Sequence, residues 1–268
     1  MQPLDGIRER LKRADQNIRN LESEIAPFIA RFPTFDFSPM ALGIDPVFTD
    51  EQREAWKKFG MEFARREAEE KIPLRFAVLA GETIHHLRSC FDHLAWQLSD
   101  EICRQTRNNR FKIEFPIFDV DPATDPDKAR RYRGKVKCII NRPSALARIE
   151  CLQPYKSSDP LNTFLWRIHD MDRTDKHREL TLVILAAGFR SEATGARQWL
   201  IIKNAGIPIA NIPLLGTRDL KVNTKICAYV AFGKAVKGEF EPIIPFLERL
   251  HRFTSDSIES FADEFIGF

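Results

Sequence analysis

Residues 74–102, LRFAVLAGETIHHLRSCFDHLAWQLSDEI, decide how this chain folds. At about 100° per residue, Phe76, Ala80, Ile84, Leu87, Phe91, Leu94, Leu98 and Ile102 fall on one stripe, so the spacing predicts a single long helix with that stripe in a core. Roughly opposite lie Gly81, His85, Arg88, Asp92, Trp96 and Ser99. A merely solvated face would carry Lys, Glu and Gln, so this one is expected to meet another element or a ligand. Arg88 and Asp92 are four residues apart and can pair along the helix. Downstream, residues 169–178 (HDMDRTDKHR) pack charge of both signs between an apolar helix and an apolar strand, and are expected to touch this face.

Outward from that helix, residues 7–25 have helical apolar spacing and should end near Pro27. Residues 28–49 carry Pro33, Pro39, Gly43 and Pro46 among several Phe and are expected to be an irregular packed connection. Residues 62–70 are open between helix and edge strand. Residues 111–115 (FKIEF) alternate as a short strand stopped by Pro116. Residues 119–127 and the basic run 128–137 are expected as loops. Residues 136–152 have helical spacing broken by Pro143, which suggests one kinked or two short helices, and Asp159 with Pro160 suggests a helix cap. From residue 180 the composition turns β-rich without intervening helices, which predicts an antiparallel sheet of three or four strands over about 180–232, including one at 207–215. Residues 242–265 form a closing amphipathic helix. The fold class is α+β in one domain over 1–268, with a helical portion over residues 1–178, a β-rich portion over 179–232 and a closing helix at 241–265.

The 268 residues are 43% hydrophobic and 29% charged, enough for a sizeable core. A net charge of +3 makes no broad electrostatic case for nucleic acid. Five cysteines without Cys-x-x-Cys or regular spacing argue against a disulfide framework and suit a reducing cytoplasm. The opening residues lack a signal-peptide apolar core, and the longest apolar run, 180–189, is too short to span a bilayer. A cytoplasmic location away from membranes is the expectation. No Gly-rich phosphate loop, Gly-x-Ser-x-Gly or His-Glu-x-x-His occurs, so no cofactor and no metal is assigned. The two Glu-x-x-His spacings, Glu82/His85 and Glu248/His251, lack the further buried Glu ligands of a di-iron bundle.

The blocks GETIHHLRSCFDHL, FPIF, LQPYK, DPLN and DKHREL, in this order, resemble a bacterial protein family with no established activity. Its members share a G-x-x-x-x-x-L-R-x-x-x-D-H-L helix followed by D-K-H-R. Within that helix the Arg-x4-His of Arg88 and His93 resembles the motif of the HEPN superfamily, helical proteins of which many are metal-independent ribonucleases. That resemblance implies RNA as partner, Arg88 on the scissile phosphate, His93 moving the proton of the ribose 2′-hydroxyl and Asp92 orienting Arg88. His85, Asp175, Lys176, His177 and Arg178 would complete the substrate-binding set. The chemistry suits these residue types, since His titrates near neutrality and Arg makes charge-assisted phosphate contacts. In an uninterrupted helix, however, a five-residue offset separates Arg88 and His93 by roughly 140°, so a bend or a homodimer would have to bring them together. Two alternatives stand beside an RNA-binding or RNA-cleaving protein. One is a non-catalytic binding or scaffold protein with a structural Arg–Asp–His network. The other is a metal-dependent hydrolase using the His and Asp set.

Overall fold

The computed structural model describes residues 4–36, 50–106, 113–139, 141–177, 180–191, 197–202, 225–233 and 242–265. It is an α+β chain with the elements α1 (Asp5–Ile29), β1 (Phe35–Asp36), α2 (Asp50–Glu69), α3 (Leu74–Leu98), α4 (Glu101–Gln105), α5 (Pro126–Val136), α6 (Pro143–Cys151), α7 (Phe164–His177), β2 (Leu182–Ser191), β3 (Arg197–Ile202), β4 (Lys225–Phe232) and α8 (Ile243–Glu259). The chain divides into two compact units. The first comprises Met1–Leu21, Ala77–Leu180 and Ile244–Phe268, and the second Glu22–Phe76 and Thr181–Ile243.

The first unit is helical and is built on α3. Ile84, Leu87, Phe91, Leu94 and Leu98 are completely buried, and Ile7, Leu11, Ala14 and Ile18 of α1 and Phe246, Leu247, Leu250 and Ile258 of α8 are buried in the same unit. Each such Ile, Leu or Phe side chain removed from water contributes about 1.5–3 kcal/mol. The Phe91 ring lies 5.1 Å from that of Phe115 and 6.2 Å from that of Phe253. His251 donates to the Leu11 carbonyl at 3.0 Å, a polar tie between α8 and α1.

The expected helix over 74–102 ends earlier. Ser99 turns its hydroxyl back to the Ala95 carbonyl (2.7 Å), and the Asp100 amide leaves the helix to bond Cys138 O (2.8 Å). The chain re-enters helix as α4, whose Ile102 is 79% exposed instead of continuing the core stripe. Cys103 and Cys138 form a disulfide with their Cα atoms 5.7 Å apart, against the expectation from cysteine spacing. Their 35-residue separation is set by how α4 and the end of α5 meet, which no spacing rule encodes.

Three local expectations change. The basic run after Pro126 is the helix α5, because Asp125 accepts from the amides of Asp127 (2.8 Å) and Lys128 (3.2 Å) with Pro126 in the first turn. Residues 113–115 form no strand, since the Phe115 amide bonds the Asp92 side chain (3.0 Å) rather than a neighbouring strand. Asp159 makes no side-chain cap; a short 3-10 turn, Pro160–Asn162, intervenes, and the Thr163 hydroxyl accepts from the Trp166 amide (3.4 Å) at the start of α7.

In the second unit, α2 runs through the stretch that was open between helix and strand, and Arg65 bridges Glu62 and Glu69 along its surface. Phe28, Phe32, Phe63, Phe59, Trp56 and Phe35 form a chain of rings with successive centroids 5.1–5.8 Å apart. The sheet has the order β1-β4-β2-β3, every pair antiparallel. β2 is central, with Ile184 opposite Val230 and Gly188 opposite both Ile226 and Leu200. Three of these strands come from the β-rich portion, and β1 comes from the stretch expected to be irregular. The strand expected at 207–215 lies outside the described residues. Among the described residues no helix is long and apolar enough to cross a membrane.

Candidate functional site

The two polar stretches touch within the first unit. Gly81 of α3 lies against α7, because a Cβ there would sit 2.6 Å from both Cγ and Oδ2 of Asp175. Glycine lets α7 approach α3 at that point. One turn on, His85 Nδ1 lies 2.9 Å from Asp172 Oδ1, and the other Asp172 oxygen accepts from Lys176 Nζ at 2.6 Å. Asp172 is 4% exposed, while the side chains of His85 and Lys176 are 52% and 54% exposed. The buried carboxylate thus fixes the His85 tautomer, with Nδ1–H donating and Nε2 directed outward to Ser89 Oγ at 3.5 Å.

Arg88, one turn further, is 5% exposed. Its guanidinium donates to Asp92 Oδ1 at 2.6 Å and to the Phe115 carbonyl at 3.4 Å, while Asp92 accepts from the Phe115 amide at 3.0 Å. Arg88 and Asp92 together satisfy both polar groups of one buried residue that has no strand partner. Lys135 pairs with Glu114 beside them, and burial holds the Lys135 ammonium below its ordinary pKa. Gln153 continues the seam, donating to Pro116 O (2.8 Å) and Ile149 O (3.1 Å) and accepting from the Phe118 amide (3.1 Å). Four of the sequence blocks are therefore joined to one another: the α3 motif to FPIF through Asp92 and Arg88, FPIF to LQPYK through Gln153, and the α3 motif to the DKHR region through Gly81 and His85.

His93 lies in different surroundings. Its electrostatic neighbours are Arg10 of α1 and Asp92, and burial, with Arg10 second, holds its pKa below the ordinary value. His86 shares that side: burial first, then His85, Arg10 and Arg13, lower its pKa, and its Nδ1 is buried without a hydrogen-bond partner. The Arg88–His93 pair is thus split between two sides of α3, as the 140° offset implies. On the α7 side, burial and then the Arg88 charge push His169 down to about 4, so it is neutral at pH 7.

Of the remaining expected residues, Asp175 faces Gly81, and Lys176 and His177 occupy the last turn of α7, where the Lys176 charge complements the helix dipole. Arg178 lies outside the described residues. Sequence reasoning missed Asp172 as the anchor of the site, Gln153 as its stitch, and Arg10 and Arg13 as the cations beside His93. Burial of a polar side chain was the missing signal in each of the first two. Among the described residues no group of three or more His, Cys, Asp or Glu could hold a metal ion. Cys90 is fully buried against the Ile7 carbonyl and its thiol is pushed up to about 12, so it is inert at neutral pH.

Compared with models of known families, with curated proteins and with solved structures, the chain finds no match.

Proposed function

We propose that this chain is an RNA-binding protein that does not cleave its RNA, in which Arg88 and Asp92 are structural and the ligand surface is the exposed edge formed by His85, Lys176 and His177. The observation that carries this reading is the closure of the Arg88 network: a 5% exposed guanidinium with hydrogen bonds to Asp92 and the Phe115 carbonyl has little reach toward a phosphate. The groups that remain accessible nearby are the Lys176 ammonium and the imidazoles of His85 and His177; the ammonium, and an imidazole when protonated, donate to phosphate oxygens. An RNA ligand goes with a cytoplasmic location, where thiol reductants act on the Cys103–Cys138 bridge.

The test is fluorescence anisotropy of a labelled single-stranded RNA over a salt series. Lys176→Ala and His85→Ala should each weaken binding several-fold, and loss of Lys176 should reduce the salt slope by about 0.7. Binding unchanged in both variants, or no binding at low salt, would sink the proposal.

A second reading, metal-independent RNA cleavage, is favoured by the surroundings of His93: burial, and then the Arg10 charge, lower its pKa, which favours the basic form a 2′-hydroxyl proton acceptor needs. In that reading Arg10 and Arg13, not Arg88, meet the phosphate, and a homodimer would bring a second set of cations. Cleavage that persists in EDTA, leaves 2′,3′-cyclic phosphate ends and disappears in both His93→Ala and Arg10→Ala would establish it over simple binding.

A further inference from the structure

We propose that Ser89, His85 and Asp172 form a serine-nucleophile relay that accepts acyl groups from small activated esters. The proposal goes beyond the RNA reading and does not depend on it. While Ser144 reaches Glu264, four other hydroxyls turn back to the carbonyl four residues earlier, Thr83 to Leu79 O, Ser99 to Ala95 O, Thr174 to Asp170 O and Thr254 to Leu250 O, all at 2.7–2.8 Å. That is the ordinary resting place of such a group. The Ser89 hydroxyl instead meets His85 Nε2, at 3.5 Å. The opposite ring nitrogen is held 2.9 Å from Asp172 Oδ1, on a different helix, and that carboxylate is 4% exposed. A nucleophile, a base within reach of it and a buried third group orienting the base are the parts such chemistry requires. The contact to the nucleophile is at the long end, as resting sites often are before a substrate closes them. The His85 side chain is 52% exposed and Ser89 half-buried, so a small ester can reach both.

The reaction balances without any further reagent. Ser89 Oγ attacks the ester carbonyl carbon as its proton passes to His85 Nε2, and Asp172 stabilises the imidazolium. The carbonyl C–O bond to the leaving group breaks, and that oxygen takes the proton from His85. Water then attacks the acyl carbon and gives a proton to His85, the bond from that carbon to Ser89 Oγ breaks, and His85 returns the proton to Oγ, so ester and water become acid and alcohol. Aryl esters are the class expected, because their leaving groups need the least stabilisation from the protein.

The test treats the full chain with p-nitrophenyl acetate and, separately, with a fluorophosphonate probe, and locates the adduct by peptide mass spectrometry. The expected result is modification at Ser89, absent in Ser89→Ala and at least ten-fold slower in His85→Gln, with Ser158→Ala unchanged. Asp172→Asn should also slow labelling, and circular dichroism and melting of each variant separate a lost relay from a lost fold. No adduct at Ser89, an equal rate in His85→Gln, or labelling of the exposed Ser158 at the same rate would each overturn the proposal. RNA binding by Ser89→Ala is read in parallel: its retention with acylation lost separates the two activities, so either can fail alone.

Discussion

The two sides of α3 carry similar residue types and use them in opposite ways. Toward α7 and the 113–118 segment, Arg88, Asp92 and Asp172 are hydrogen-bonded to a backbone or side-chain group of another segment or to one another. Toward α1, His86 and His93 sit beside Arg10, and the His86 Nδ1 is buried without a partner. The contrast teaches that a motif's residue types do not disclose which side is spent on folding. On the first side, removing a partner leaves a buried polar group unpaired, which costs more than the bond itself contributes. On the second, no such penalty attaches to the imidazole of His93.

The sharpest way to break that contrast is Arg88→Ala. It strips the Phe115 carbonyl and Asp92 of a buried cation, and should destabilise the first unit by about 2–4 kcal/mol in urea or thermal unfolding. A double-mutant cycle with Asp92→Asn should return a coupling of about 1 kcal/mol or more, because the two share a hydrogen bond. Near-additive losses would show the network to be a coincidence of packing.

Gly81→Ala comes next. Alanine favours an isolated helix by about 1 kcal/mol over glycine, but here the added methyl meets Asp175, and overpacking typically costs about 1–3 kcal/mol. A net loss of stability of about 1 kcal/mol is expected, and a gain would mean that α7 yields freely at this point. Adding Asp175→Ala should recover most of the loss.

Acid should distinguish the neutral histidines from the paired carboxylates. His86, His93 and His169 have folded pKa values depressed by burial, so the unfolded chain binds more protons. Their contribution is fully present above about pH 6.5 and is lost as pH falls from there toward 4. For His169, lowered to about 4, the loss is on the order of 1–2 kcal/mol once its partial exposure is discounted. Melting curves between pH 7 and 4.5 should show the decline, and His169→Gln should flatten it. Below about 4.5, carboxylates held low by ion pairs, such as Glu62 beside Arg65, add to the loss.

The smallest effect is expected for His93→Ala, within about 1 kcal/mol of wild type by chemical denaturation. A loss comparable to that of Arg88→Ala would erase the difference between the two sides and make His93 structural as well.

Much of this was legible in the residues alone. The stripe Phe76, Ala80, Ile84, Leu87, Phe91, Leu94 and Leu98 is the buried face of α3, because apolar period is a local property of the chain. The Arg88–Asp92 pair follows from a four-residue spacing, and the contact between α3 and the DKHR region was expected from a face too specific to be simply wet. The closing helix keeps Ile243, Phe246, Leu247, Leu250, Ile258 and Phe261 buried for the same reason of period. What went unread is non-local. Ile113 to Phe115 have a strand's composition, but the Phe115 amide goes to Asp92, whose position depends on a helix twenty-three residues earlier. Asp172 stood among three Asp in ten residues, and only packing selects which of them is buried.

The sequence by itself determined the long helices α1, α3 and α8, the β-rich segment and the polar face of α3, since period, caps and turns act over a few residues. Tertiary structure alone decided the early end of α3, the Cys103–Cys138 bridge, β1 as a strand of the sheet, and which groups meet Arg88 on one side of the helix and His93 on the other. The physical reason is the same in each case. A hydrogen-bonding group finds its partner by distance in space, and burial makes that choice binding because an unpaired group has no water to turn to.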